Sequence, residues 1–175
     1  MPQNKRLRQP RASRPHMPGY GLPRGSKGLL PWRWAETRLV RSHNYWLITV
    51  RPEGRPHAMI VWGIWVDGRF YFSTGRESRK ARNLASNPAC IVCTQDAAAA
   101  AIVEGTAAES SDATLIARLG RPYQRKYAPW KLDPNLGPIF EVRPRVAFGL
   151  REKTFKAATR WLFESKAGSR RPSSR

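Results

Sequence analysis

Three short apolar runs joined by two tight turns restrict the first half of this chain to an antiparallel β-architecture. Residues 45–50 predict a strand, residues 51–55 with Pro-Glu-Gly a turn, and residues 57–66 a long second strand. Asp67-Gly68 supplies a second tight turn, and residues 70–74 a third strand. The second run, AMIVWGIWV, is apolar at both parities, so one face fills a core and the other needs a separate cover. Further strands are expected at 89–94, 101–108, 139–142, 146–150 and 160–163, with helices at 32–42 and from the Asp112 cap to about Tyr127. In the first helix Trp34, Leu39 and Val40 are expected to face inward. The fold class that follows is mainly β (α+β), a split antiparallel β-barrel with flanking helices in a single domain. Closure removes the exposed edges that strands this apolar would otherwise leave.

The stretch FYFSTGRESRKARNL, from Phe70 to Leu84, carries the chemistry. A strand breaks at Gly75, and Ser78, Arg79 and Lys80 open a helix whose apolar positions Ala81, Leu84 and Ala85 share one face. Asn87-Pro88 stops that helix. A helix start offers unpaired N–H groups and a partial positive charge, so it suits an anion. Cations in the first turn oppose the helix dipole, and a bound phosphate removes that conflict. Ser78 suits the N-cap. A solvated basic first turn on an ordinary amphipathic helix shows the same local pattern.

The formal charge of +20 points toward nucleic acid, but its distribution weakens that reading. Residues 1–30 hold seven Lys and Arg and no acid, and residues 166–175 hold four and no acid. Residues 1–29 are read as a disordered basic tail, residues 30–164 as the domain, and residues 165–175 as a second disordered basic tail. Met17, which begins MPGYGLP, is a candidate start of translation. Nucleic acid is therefore not expected as a partner, nor is a membrane, because no apolar run approaches about 20 residues. A cytoplasmic location is expected. Cys90 and Cys93 lie three apart on a strand and point to opposite faces, so they read as structural, and no metal site is expected.

In order, WLITVRPEGRPH, VWGIWVDGRFYFSTG, SRKARNLASNP, IVEGTAA, FEVRPRVAFGL and TRWLF resemble the pyridoxamine 5'-phosphate oxidase-like superfamily of FMN- and coenzyme F420-binding split barrels. The likeness spans residues 30 to 163. It implies a homodimer with a flavin-type cofactor at the interface, its phosphate on Ser78, Arg79 and Lys80, with Ser73 and Thr74 adding hydrogen bonds. The strand around His57, Met59 and Val61 would run along the ring, and Arg160 and Trp161 would approach from the partner chain. The implied function is an oxidoreductase moving hydride to or from a small organic substrate, with no catalytic side chain supplied by the protein. A basic rim of Arg76, Arg79, Lys80 and Arg82 favours the more anionic F420 over FMN. Pyridoxamine phosphate oxidases carry an R-x-H-D element near the C-terminus, where this chain has Thr159, Arg160 and Trp161, so that substrate is not expected. A binding or storage protein without turnover, and a nucleic-acid-binding protein acting through the tails, are the alternatives from other classes.

Overall fold

The structure is a computed structural model and describes residues 9–164. The two tail assignments at residues 1–8 and 165–175 lie outside the described residues. Nine strands form one antiparallel sheet: β1 (Arg11–Ser13), β2 (Tyr45–Val50), β3 (Pro56–Val61), β4 (Gly63–Val66), β5 (Arg69–Ser73), β6 (Ala89–Thr94), β7 (Ala99–Ser110), β8 (Ile139–Arg151) and β9 (Thr159–Leu162). Three helices flank it: α1 (Trp32–Arg41), α2 (Arg79–Ser86) and α3 (Ala113–Tyr127). β2 pairs with β3 and β6, β6 with β7, β7 with β8, β8 with β5, and β5 with β4. Only Trp62 separates β3 from β4, so these pairings close a ring. Beyond the ring, the second half of β8 pairs with β9, and β9 with β1. The expected split barrel with flanking helices in a single domain is what forms.

The run 57–66, expected as one strand, breaks at Trp62 because its two halves serve different neighbours. Gly63 makes the break: a Cβ there would lie 2.2 Å from Phe70 Cζ and 2.7 Å from the Tyr71 carbonyl oxygen, so only glycine lets the backbone come that close to β5. The freed backbone groups find partners on α3. Gly63 N–H donates to the Tyr127 hydroxyl at 2.8 Å, and the Gly63 carbonyl accepts from Lys126 Nζ at 3.1 Å. Residues 139–142 and 146–150 turn out to be one strand, β8, because Pro144 falls where the register shifts opposite Glu104 and Gly105 and no ladder N–H is needed.

Leu39, Tyr45, Leu47, Phe70, Phe72, Val92, Val103, Val142 and Trp161 fill the barrel. α3 lays Leu119, Tyr123 and Tyr127 over the outward side chains Ile64, Tyr71 and Ile139, and so covers one outer face. In α1 the buried side is Trp32, Ala35 and Leu39, while Val40 is half exposed, a rotation of the expected face. Order also begins earlier than residue 30. β1 adds to the open edge of β9, and the Arg14 guanidinium ties the following segment to the Lys156 carbonyl at 2.7 Å and the Lys27 carbonyl at 2.6 Å. Composition alone missed this, because the ordering comes from edge pairing and one polyvalent donor rather than from apolar burial.

Candidate functional site

The sequence builds the junction between β5 and α2 as expected. Ser78 caps α2, accepting from Ala81 N–H at 3.3 Å, and its hydroxyl lies 3.1 Å from Thr74 Oγ1. Ser73 pairs with Ile139 at the end of β5, and Gly137 packs against the Thr74 carbonyl, so the loop after α3 supports the turn from behind. On α2 the inward positions are Ala81, Asn83 and Leu84, and Ala85 faces out. Asn83 is fully buried and donates from Nδ2 to Thr49 Oγ1 at 2.9 Å. Thr49 in turn is the register partner of His57. This polar link, invisible to apolar periodicity, docks the helix start beside β3.

Four cationic or cation-forming side chains converge there. Burial holds the His57 imidazole below its usual pKa, and the charges of Arg51, Lys80 and Arg79 push it further down. Burial also lowers the Lys80 ammonium. His57 Nδ1 and Arg51 Nε are buried without a hydrogen-bond partner, although the Arg51 guanidinium reaches Glu53 at 3.8 Å. Positive charge gathered around unmade hydrogen bonds at a helix start is a site that an anion completes. The residues present fit a phosphate group. Of the expected basic rim only Arg79 and Lys80 lack a partner among the described residues, because Arg76 pairs with Glu109 at 2.7 Å and Arg82 donates twice to the Glu77 carbonyl, at 3.0 and 2.8 Å.

The other expected site residues divide. β3 pairs only with β2, so its second edge carries backbone groups without a strand partner among the described residues. Met59 is 47% exposed on that strand, whereas the Val61 side chain is buried in the barrel. Arg160 and Trp161 are not brought to the cluster within one chain. Arg160 pairs with Phe148, nine residues along β8 from the Ile139 partner of Ser73, which is about 30 Å of strand. The Trp161 ring is 1% exposed, with Trp32 edge-on at 5.4 Å, so within one chain this side chain packs into the core rather than onto an open surface. Thr49, Asn83 and Arg51 were the members that sequence reasoning missed. Only Asn83 left a trace, as a polar residue on the inward arc of an amphipathic helix. Burial raises the thiol of Cys90 to about 12 and that of Cys93 to about 11, which keeps both protonated and agrees with a structural role. No group of potential metal ligands occurs among the described residues.

A closed antiparallel barrel with a basic helix start at one strand end defines a split-barrel protein. The pyridoxamine 5'-phosphate oxidase family model matches residues 35–157, and the chain belongs to that family. No curated protein matches it. Among solved structures it is similar to an F420 reductase, 24% identical over 64% of this chain and 94% of that one, with a TM-score of 0.53. It is also similar to a pyridoxamine 5'-phosphate oxidase-related, FMN-binding protein from Nostoc punctiforme, 21% identical over 79% and 93%, with a TM-score of 0.52. A heme-binding protein from Mycobacterium smegmatis is 17% identical over 74% and 62%, with a TM-score of 0.57. These similarities establish the fold. No helix among the described residues is long and apolar enough to cross a membrane.

Proposed function

We propose that the chain is an oxidoreductase that binds a phosphate-bearing flavin-type cofactor, FMN or coenzyme F420, at the β5–α2 junction of a homodimer. The observation that carries this reading is the His57, Arg79 and Lys80 cluster at the capped start of α2, with His57 Nδ1 buried and unpartnered. Ser78 and the first-turn N–H groups orient the phosphate, Arg79 and Lys80 neutralise it, and the free edge of β3 meets the polar edge of the ring. When bound, the cofactor supplies hydride transfer, and the protein supplies binding, orientation and exclusion of water. Engagement of Arg76 and Arg82 removes two of the four cations that favoured F420, so FMN stands level with it. The names of the F420 reductase and the FMN-binding relative support either cofactor. Titration of apoprotein with each cofactor tests this directly. Absence of micromolar binding to both would reject it, and multiple-turnover assays with reduced cofactor separate an enzyme from a storage protein.

The dimer reading rests on the outer face of the sheet. Ile60, Trp46, Cys93, Ile102, Phe148 and Arg160 form one cross-strand row through β3, β2, β6, β7, β8 and β9. Ile60 is 49% exposed and Trp46 44% exposed in the single chain. Such a row is costly to leave in water, and a second copy covers it. In that dimer Arg160 would serve the site of the other protomer. Sedimentation as a monomer at micromolar concentration rejects the arrangement, and Trp46→Glu is expected to dissociate it.

A further inference from the structure

On the side of the domain away from α2, the segment after β1 and the turn Glu152–Ala157 flank a shallow, open groove of 620 Å³. Arg14 holds its two walls together, donating to the carbonyls of Gly25 and Lys27 on one side and of Lys156 and Ala158 on the other. Lys27, Lys153 and Lys156 line it, opposed only by Glu152. A second cavity of 170 Å³ shares Glu152 and Lys153 and adds Arg38 and Arg151. These two guanidinium groups repel, and burial and Arg151 lower the pKa of Arg38 while Asp96 raises it. No ion pair among the described residues engages these lysines or Arg38 and Arg151. At the rim, Tyr20 is 63% exposed and its ring lies 5.6 Å from that of Phe155, which lines the cavity. The chain also enters and leaves the fold at one end of the β1–β9 pair, where Arg11 faces Leu162.

We propose that this groove is a binding site for single-stranded nucleic acid, with backbone phosphates on Lys27, Lys153, Lys156, Arg38 and Arg151 and a base stacked on Tyr20. A cavity several times larger than one phosphate, with cations spaced along it and an aromatic ring at its rim, matches a strand that alternates anion and π-face. The site is separate from the cofactor cluster and does not depend on it.

The test is fluorescence anisotropy of the full chain with a labelled 12-nucleotide single strand across a salt series. Five phosphate contacts give a slope of log affinity against log salt of about −3.5, and Lys153→Ala with Lys156→Ala is expected to reduce it by about 1.4. Tyr20→Ala is expected to weaken binding about 5- to 150-fold at fixed salt with the slope unchanged. FMN affinity should not move in either variant. A slope unaffected by the lysine pair, duplex binding as tight as the single strand with Tyr20→Ala silent, or stronger binding to anionic vesicles would each overturn the proposal.

Discussion

Truncating Lys80 should erase the preference for a phosphorylated flavin without touching recognition of the ring. The ammonium is half-buried, burial alone lowers its pKa, and nothing among the described residues pairs with it. A hydrogen bond from a charged donor to phosphate contributes about 1.5 to 3 kcal/mol, so Lys80→Ala should weaken FMN about 10- to 150-fold. Riboflavin lacks the phosphate, so its affinity should stay within a factor of about two. Because the side chain leaves a crowd of like charge around His57, the apoprotein should lose no thermal stability. Quenching of flavin fluorescence on titration, at fixed ionic strength, reads both ligands in one assay. Equal loss for riboflavin and FMN would mean that the substitution distorted the fold or the ring site, and an unchanged FMN constant would remove Lys80 from the site. Either result refutes the reasoning.

Titration of His57 by NMR in the apoprotein should give a pKa below the ordinary histidine value, rising when inorganic phosphate is added. The sign for stability follows: below about pH 6.5 the unfolded chain takes up the proton first, so stability falls as the pH drops, and His57→Gln should flatten that limb. Lys126, pushed down to about 8 by burial, works at the other end. Between pH 8 and about 10.5 the unfolded state holds more protons, so stability should rise with pH across that range, and Lys126→Met should abolish the rise. Gly63→Ala should cost about 3 kcal/mol in urea unfolding, because its methyl meets both a ring and a carbonyl oxygen. Trp161→Ala should cost about 3 to 5 kcal/mol of stability, whereas Arg160→Ala should leave folding intact.

Local rules read the strand–turn–helix segment well because its determinants are local. Ser78 caps, Pro88 stops and Asp112 caps the next helix, each through atoms within a few residues. The same rules failed where a distant partner decides. The break at Trp62 depends on Phe70 and Tyr127, neither of which lies in the run. The order of residues 9–29 depends on a free edge at β9 and on carbonyls near residue 157. The placement of Ser78, Arg79 and Lys80 at a capped helix start was legible from the turn alone, and the resemblance pointed to His57, which the structure places beside them. The core packing of Trp161 was not legible, because a tryptophan near a cofactor-family motif looks the same in sequence whether it packs into a core or onto a ligand.

The one-residue interruption between β3 and β4 links the two halves of this picture. A continuous strand would pair with β2 along its whole length and could not also reach β5, so the barrel would stay open. With the break, Tyr127 and Lys126 satisfy the Gly63 backbone from α3, and β4 turns to meet β5 while β3 remains a free edge. That edge runs from His57, beside the basic helix start, toward Trp62, five residues and about 16 Å farther on. A phosphate at one end and a planar ring along the rest match that span. The residues that close the barrel are therefore the ones that leave the β3 edge open, and on the proposed cofactor site a change at Gly63 or Tyr127 should weaken cofactor binding together with folding stability, unlike one at Lys80.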